Sequence, residues 1–161
     1  MRIDLSEIKH DSGAIKQVDA DVNLEDFKFK GRNIEIAEPI HLNLQVTNTE
    51  DMYLVTGKMD AKLVFKCDRC LTKFEEAMEI DFIKEFLKEE MESENYLDIS
   101  DSILEHIILE LPMKTICDEE CKGLCLICGQ DLNEEDCGCE RFIPDPRLAK
   151  LEEFFDDDKE D

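Results

Sequence analysis

The chain has 161 residues, 42% of them hydrophobic, which fits one domain, or one domain with a small appended module, and excludes a wholly disordered chain. Its formal net charge of -23 sets it against phosphate backbones, because nucleic-acid affinity comes largely from Lys and Arg displacing counterions. No apolar run approaches the roughly 20 residues of a membrane helix, and the opening Met-Arg-Ile-Asp-Leu-Ser-Glu is too acidic for a signal peptide, so a reducing, cytoplasmic setting is expected.

The nineteen basic residues are scattered, and their longest local cluster is Lys28, Lys30 and Arg32. Two readings of the acidity stand side by side. One is a soluble, self-repelling surface; the other is a complementary face for a basic partner such as a ribosomal protein.

The first half predicts antiparallel β-structure. Leu24, Phe27 and Phe29 suggest a strand before a turn at Gly31-Arg32-Asn33. Ile40, Leu42, Leu44 and Val46 alternate with polar residues, the period of a half-buried strand. Val55, Met59, Ala61, Leu63, Phe65 and Cys67 share the face of a second long strand, and Phe74, Met78, Ile80 and Phe82 mark a third. Cys67-Asp68-Arg69-Cys70 then occupies the turn of a hairpin. Lys84–Glu94 predicts a charged linker or frayed helix. Ser102 with Glu105 forms a capping-box pattern ahead of a helix whose stripe is Ile103, Leu104, Ile107, Ile108 and Leu111, with Pro112 ending it. Asp145-Pro146 resembles the start of a last helix, with Leu148, Leu151, Phe154 and Phe155 on its apolar side and an acidic tail after it. The expected class is α+β: a small antiparallel sheet or barrel, a helix, and a Cys-rich zinc-binding module with a C-terminal helix. The expected divisions are 1–112 for the β-rich domain with its closing helix, 113–143 for the module, and 144–161 for the short helix and tail.

All eight cysteines fall into close pairs: Cys67/Cys70, Cys117/Cys121, Cys125/Cys128 and Cys137/Cys139. Zinc takes four thiolate or imidazole ligands in a tetrahedron, usually delivered as two short-spaced pairs on tight turns, so four pairs make two sites. The favoured grouping joins Cys125, Cys128, Cys137 and Cys139 in a local site and Cys67 and Cys70 with Cys117 and Cys121 in a long-range one. A rival grouping joins Cys117/Cys121 to Cys125/Cys128 and leaves Cys67/Cys70 as a free dithiol. Residues 117–139 are poor in large apolar side chains and need such a staple to fold. A closed four-thiolate site has no position for water or substrate, so it stabilises rather than catalyses. A thioredoxin-like role for Cys67 and Cys70 would want a helix N-terminus, and this motif lies between strands. His10, His41 and His106 have no catalytic company and are expected to be structural or solvent-facing. No phosphate loop or nucleophile elbow is present, so no enzymatic activity is expected.

Cys67-Asp-Arg-Cys70, the helix ending Leu109-Glu-Leu-Pro112, Cys121-Lys-Gly-Leu-Cys125-Leu-Ile-Cys128-Gly129, Cys137-Gly-Cys139 and Asp145-Pro-Arg147, in this order, resemble the bacterial YceD family, the large ribosomal RNA subunit accumulation proteins. The resemblance is densest from about Val64 to Leu151. It implies a role in accumulation of large-subunit ribosomal RNA, hence in ribosome assembly, in bacteria and chloroplasts. It also implies a genetic neighbourhood with a small basic ribosomal protein. Some members lack most of the second cysteine cluster, which implies that the second metal is dispensable to the shared role. Leu126 departs from the family, where proline often stands inside that turn. The partner expected is a basic ribosomal protein or rRNA-processing factor. The competing expectation is direct RNA contact through Lys114, Lys122, Arg141 and Arg147, which the charge disfavours.

Overall fold

The computed structural model describes residues 1–91, 95–140 and 147. Its strands in chain order are β1 (Arg2–Asp4), β2 (Ile15–Val22), β3 (Phe27–Phe29), β4 (Arg32–Ile36), β5 (Ile40–Asn48), β6 (Met52–Lys66), β7 (Lys73–Leu87) and β8 (Tyr96–Asp98), followed by one helix, α1 (Ser100–Glu110). The described chain forms two compact units. The first holds residues 1–67 and 72–117, and the second holds 68–71 together with the chain from Asp118 onward.

In the first unit β6 organises everything else. One edge pairs with β7 over all fifteen residues, from Met52↔Leu87 to Lys66↔Lys73. The other edge is shared in sequence by β5, from Asn48↔Tyr53 to His41↔Asp60, and by β4 at Leu63 and Val64. β2 lies outside β5 and β3 outside β4, so the order is β2-β5-β6-β4-β3 with β7 on the far side of β6. All pairings are antiparallel, and among the described residues none joins β2 to β7, so the sheet is open rather than a closed barrel. β1 and β8 form a separate two-stranded ribbon.

The alternation read from the sequence is the alternation of burial. Ile40, Leu42, Leu44 and Val46 on β5 are fully inaccessible, as are Val55, Met59 and Leu63 on β6. Each contributes on the order of 1.5–3 kcal/mol by leaving water. Ile80 and Phe82 on β7, Ile103 and Ile107 on α1, and Leu97 and Ile99 before it complete the same core. The helical stripe is therefore core-facing, as the sequence predicts, while Leu104, Ile108 and Leu111 are half-buried at its margin.

Three local expectations are corrected. Lys84–Glu94 is neither linker nor frayed helix at its start: β7 runs on to Leu87, because Val55, Leu54, Tyr53 and Met52 continue to offer it a ladder, and a single 3-10 turn follows at Lys88–Glu90. The β3–β4 turn is at Lys30-Gly31, both with positive φ (48° and 81°), and Arg32 and Asn33 already belong to β4. The capping box is displaced as well. Ser102 lies inside α1 and is buried, and the carboxylate of Asp98 accepts hydrogen bonds from the Ser100 N–H (3.0 Å) and hydroxyl (2.7 Å) instead. Apart from Arg147, the C-terminal helix and acidic tail expected over 145–161 lie outside the described residues.

Gly57 marks where strands approach too closely for a side chain. It sits in β6 opposite Leu44 and Phe82 with φ of 156°, and a Cβ there would fall 2.1 Å from the Asn43 carbonyl oxygen and 2.7 Å from Leu44 Cα. Backbone cannot yield as a flexible side chain does, so Gly57→Ala is expected to cost about 3 kcal/mol or more in urea denaturation. The Asp98 carboxyl is held well below its ordinary value by its bonds from Ser100. A depressed carboxylate contributes stability above its unfolded pKa near 3.8 and loses it as pH falls through the folded value. Asp98→Ala is thus expected to cost about 1 kcal/mol at neutral pH and progressively less in acid, read from denaturation midpoints across pH.

Candidate metal centres

The first cysteine group starts from the end of the long hairpin. Cys67 follows β6 directly, and its N–H donates to the Thr72 carbonyl (2.9 Å), closing the turn that carries Asp68–Leu71. Thr115 donates its hydroxyl to the Lys66 carbonyl (2.9 Å), which draws the chain after α1 to the end of β6. Cys117 then points its N–H at the Cys67 sulfur (3.5 Å).

Within the second unit Arg69 organises the chain around Cys121. Its guanidinium donates to the carbonyls of Glu119 (3.2 Å) and Cys121 (2.9 Å), and its own carbonyl accepts from Leu124 N–H (3.1 Å). Asn133 works from the other side. Its amide Nδ2 lies 3.5 Å from the Cys121 sulfur, and its Oδ1 accepts from Lys122 N–H at 2.8 Å. Gly123 fits between them for two reasons: its φ is 75°, and a Cβ would stand 3.0 Å from the Arg69 carbonyl oxygen.

The second group is built on a short double turn. Leu124 and Asp131 form an isolated antiparallel bridge, Cys125 N–H donates to Gln130 O (2.8 Å) and Gly129 N–H to Cys125 O (2.8 Å). Backbone N–H groups of Cys128 and Ile127 also reach the Cys125 sulfur, and they lower its pKa from 9.0 to about 6. The Cys139 N–H favours the Cys137 thiolate, yet the Cys125 sulfur and burial outweigh it, and Cys137 is raised. Hydrogen bonding to Cys137, then to Cys128, pushes Cys139 up to about 12. Ionisation of Cys125 is thus favoured over that of Cys137 and Cys139, and a cation among the sulfurs would oppose that difference.

The sulfurs of Cys67, Cys70, Cys117 and Cys121 all lie within 4.8 Å of one another, and so do those of Cys125, Cys128, Cys137 and Cys139. A tetrahedron of sulfurs at about 2.3 Å from zinc has edges of about 3.8 Å, so both groups need only a small contraction to enclose an ion. This is the favoured grouping from the sequence; the rival one, with Cys67/Cys70 left aside, is not what the geometry brings together. The groups differ in shelter. Cys67, Cys70 and Cys121 are buried and Cys117 exposed, whereas Cys125 is buried, Cys137 and Cys139 are partly buried and Cys128 is exposed.

The remaining nominated residues are not among the eight sulfur ligands. His41 projects from β5 toward Asp21 (2.9 Å) and Asp19 (3.8 Å), and the Asp21 hydrogen bond raises its pKa. His106 stacks on Phe82 with ring centroids 4.4 Å apart and donates Nδ1–H to the Ser102 carbonyl (2.7 Å). His10 is exposed. Lys114, Lys122 and Arg147 are exposed, and Arg141 lies outside the described residues. Sequence reasoning missed the parts of Arg69, Thr115 and Asn133. Asn133 alone had a signal, the Asp-x-Asn spacing of an Asx turn, which appears as Asn133 N–H to Asp131 Oδ1 at 2.9 Å.

The family described as large ribosomal RNA subunit accumulation protein YceD matches residues 55–155. The chain belongs to the YceD family. The matched stretch begins within β6 and takes in every cysteine of both groups. An uncharacterised protein of Mycobacterium leprae is 30% identical over 135 residues, covering 76% of this chain and 62% of its own length. A similar protein of Mycobacterium tuberculosis is 29% identical over 129 residues, covering 72% of this chain and 62% of its own length. A chloroplastic YCED homolog 1 of Arabidopsis thaliana, named a large ribosomal RNA subunit accumulation protein, is 47% identical over 55 residues, 34% of this chain and 17% of that protein. The chain thus spans somewhat under two thirds of the mycobacterial relatives' length. No solved structure matches it.

Among the described residues no helix is long and apolar enough to cross a membrane. Cys125→Ser is expected to open the segment 117–139 to protease while residues 1–112 stay resistant, because the core of β5, β6, β7 and α1 does not draw on Cys125. Limited trypsin digestion followed by mass spectrometry reads this, and simultaneous loss of both regions would contradict it.

Proposed function

We propose that this protein is a non-enzymatic, zinc-binding cytoplasmic factor that supports accumulation of large-subunit ribosomal RNA, and hence ribosome assembly, through contact with a basic protein partner. The gathering of eight thiols into two sets of four, in a chain of the YceD family, is the observation that carries the reading. Cys67, Cys70, Cys117 and Cys121 would hold one ion, and Cys125, Cys128, Cys137 and Cys139 the other. Four thiolates suit zinc in softness and number, and such a site leaves no coordination position for substrate. The N–H groups aimed at the Cys125 sulfur would hold that ligand in its charged form, and the Cys117 N–H would orient the Cys67 sulfur.

The net charge supports the choice of a protein partner over RNA. A surface this acidic attracts a basic ribosomal protein and shields it from nonspecific RNA until the RNA site displaces it. Four-thiolate ligation by zinc also speaks against a thiol oxidoreductase working through Cys67 and Cys70, because both sulfurs would be occupied.

Two measurements test the reading. Protein purified under reducing conditions is expected to carry about two zinc ions per chain by elemental analysis. Absence of metal together with a reactive Cys67/Cys70 dithiol would favour the oxidoreductase. Tagged protein incubated with purified large-subunit ribosomal proteins is expected to retain a basic one after RNase treatment. Binding only to ribosomal RNA, with affinity falling steeply as salt rises, would replace the protein-partner reading with direct RNA contact.

A further inference from the structure

The second unit displays large apolar side chains at its cysteine turns. Leu126 is 97% exposed, Ile127 52% and Leu71 50%. The geometry of the turn forces the display. N–H groups of Ile127 and Cys128 face the Cys125 sulfur and Gly129 N–H returns to the Cys125 carbonyl, so the two side chains at the tip have no inward direction left. Leu71, just past Cys70, adopts a φ of 65°, the left-handed region that strains a residue with a side chain and costs glycine almost nothing. A half-exposed leucine gains little from the fold in return for that strain.

The two turns are joined within the second unit, since Leu124 N–H donates to Arg69 O (3.1 Å) and Gly123 lies close against Arg69. Around them negative charge predominates, although the exposed Arg69 lies two residues from Leu71. From Asp118 to Glu140 there are eight carboxylates and a single basic residue, Lys122. Apolar anchors within a field of carboxylates repel nucleic acid and anionic lipid, and they match a segment that carries cations beside an apolar face.

We propose that Leu71, Leu126 and Ile127 form a docking surface for a basic amphipathic segment of a protein partner. The proposal rests on the protein-partner reading above and names its contact. Long-range attraction brings the segment in, and burial of the three side chains holds it. Because the turns are fixed by their own hydrogen bonds, little ordering cost falls on this side of the interface.

The test uses the full-length, metal-replete protein and a fluorescent synthetic amphipathic helix of leucine and lysine, read by anisotropy. Leu126→Asp with Ile127→Asp is expected to weaken binding at least about tenfold, even though it adds two charges that attract the peptide. Leu71→Gly is expected to keep or raise the melting temperature while weakening binding several-fold, which a purely structural role would not produce. Zinc content is measured on every variant, so that loss of fold is recognised. Unchanged or tighter binding by the aspartate variant with zinc intact overturns the proposal. So does a labelled ribosomal RNA fragment whose binding, rather than the peptide's, falls in these variants. A concentration-dependent dimer abolished by the same substitutions would assign the surface to a second copy, and competition by a peptide of residues 144–161 would assign it to this chain. Either result overturns a foreign basic segment as the occupant. If wild-type protein retains no ribosomal protein, the protein-partner reading fails; if it does and the variants retain it equally, only the docking surface fails.

Discussion

Fifteen consecutive pairs join β6 to β7, and the remaining elements of the first unit take their positions from that ladder. A register slip of one residue would turn Val55, Met59, Leu63 and Phe65 to water at once, so burial on one face locks the pairing. β6 is long enough to give β5 and β4 separate stretches of its other edge. Gly57 is where that sharing becomes crowded, and its missing side chain lets β5 come close. The same ladder ends at Lys66↔Lys73, which places Cys67 at the end of a rigid rod rather than on a wandering loop.

A metal site needs its ligands delivered before the metal arrives, because ordering them costs affinity. Here that delivery is divided among different forces. Cys67 is placed by a β-ladder and Cys117 by the Thr115 hydroxyl on Lys66, whereas Cys121 is placed by Arg69 and Asn133. Cys125, Cys128, Cys137 and Cys139 have no large apolar surroundings to place them and depend on tight turns, with Gly129 and Gly138 both at positive φ. The more exposed second group would therefore rely more on an ion for order, consistent with a segment in which Leu132 is the only described non-cysteine hydrophobic side chain buried beyond Asp118.

Much of this was legible because it rests on short-range regularity. The period-2 runs of β5, β6 and β7 and the spacing of the cysteine pairs are visible in a few residues, and both reappear in three dimensions. The misreadings share a different cause. Lys84–Leu87 has charges at helical spacing, and only the partner edge of β6 makes it a strand. β1 and β8 are three-residue strands separated by most of the unit, with no periodicity to reveal their pairing. In β2, Ile15 is exposed and no residue is fully buried, so its pattern is faint. The helix start was misplaced because Asp98 caps it from outside, while Ser102 and Glu105 imitate a cap within the first turns. Arg69 was hidden for another reason: an arginine that holds backbone carbonyls leaves no spacing signature.

The acidity of this protein and its thiolates are one electrostatic problem. Each four-thiolate zinc site retains a formal charge of about −2, so loading both would deepen a charge that already stands at −23. Nearby compensation is sparse: Arg69 lies beside Cys121, and Lys122 is the only other cation from Asp118 to Glu140. A fold that wanted RNA at this end would place its lysines here, as the phosphate interaction is won by local cation density. The described basic residues instead largely serve the sheet, with Lys58, Lys62 and Lys73 paired across strands to Glu79, Glu75 and Glu35. Those surface pairs add little stability singly, but they remove cations from the pool available to phosphate. The eight carboxylates from Asp118 to Glu140 share this unit with Leu126 and Ile127, a combination that disfavours polyanions and suits a cationic, partly apolar surface.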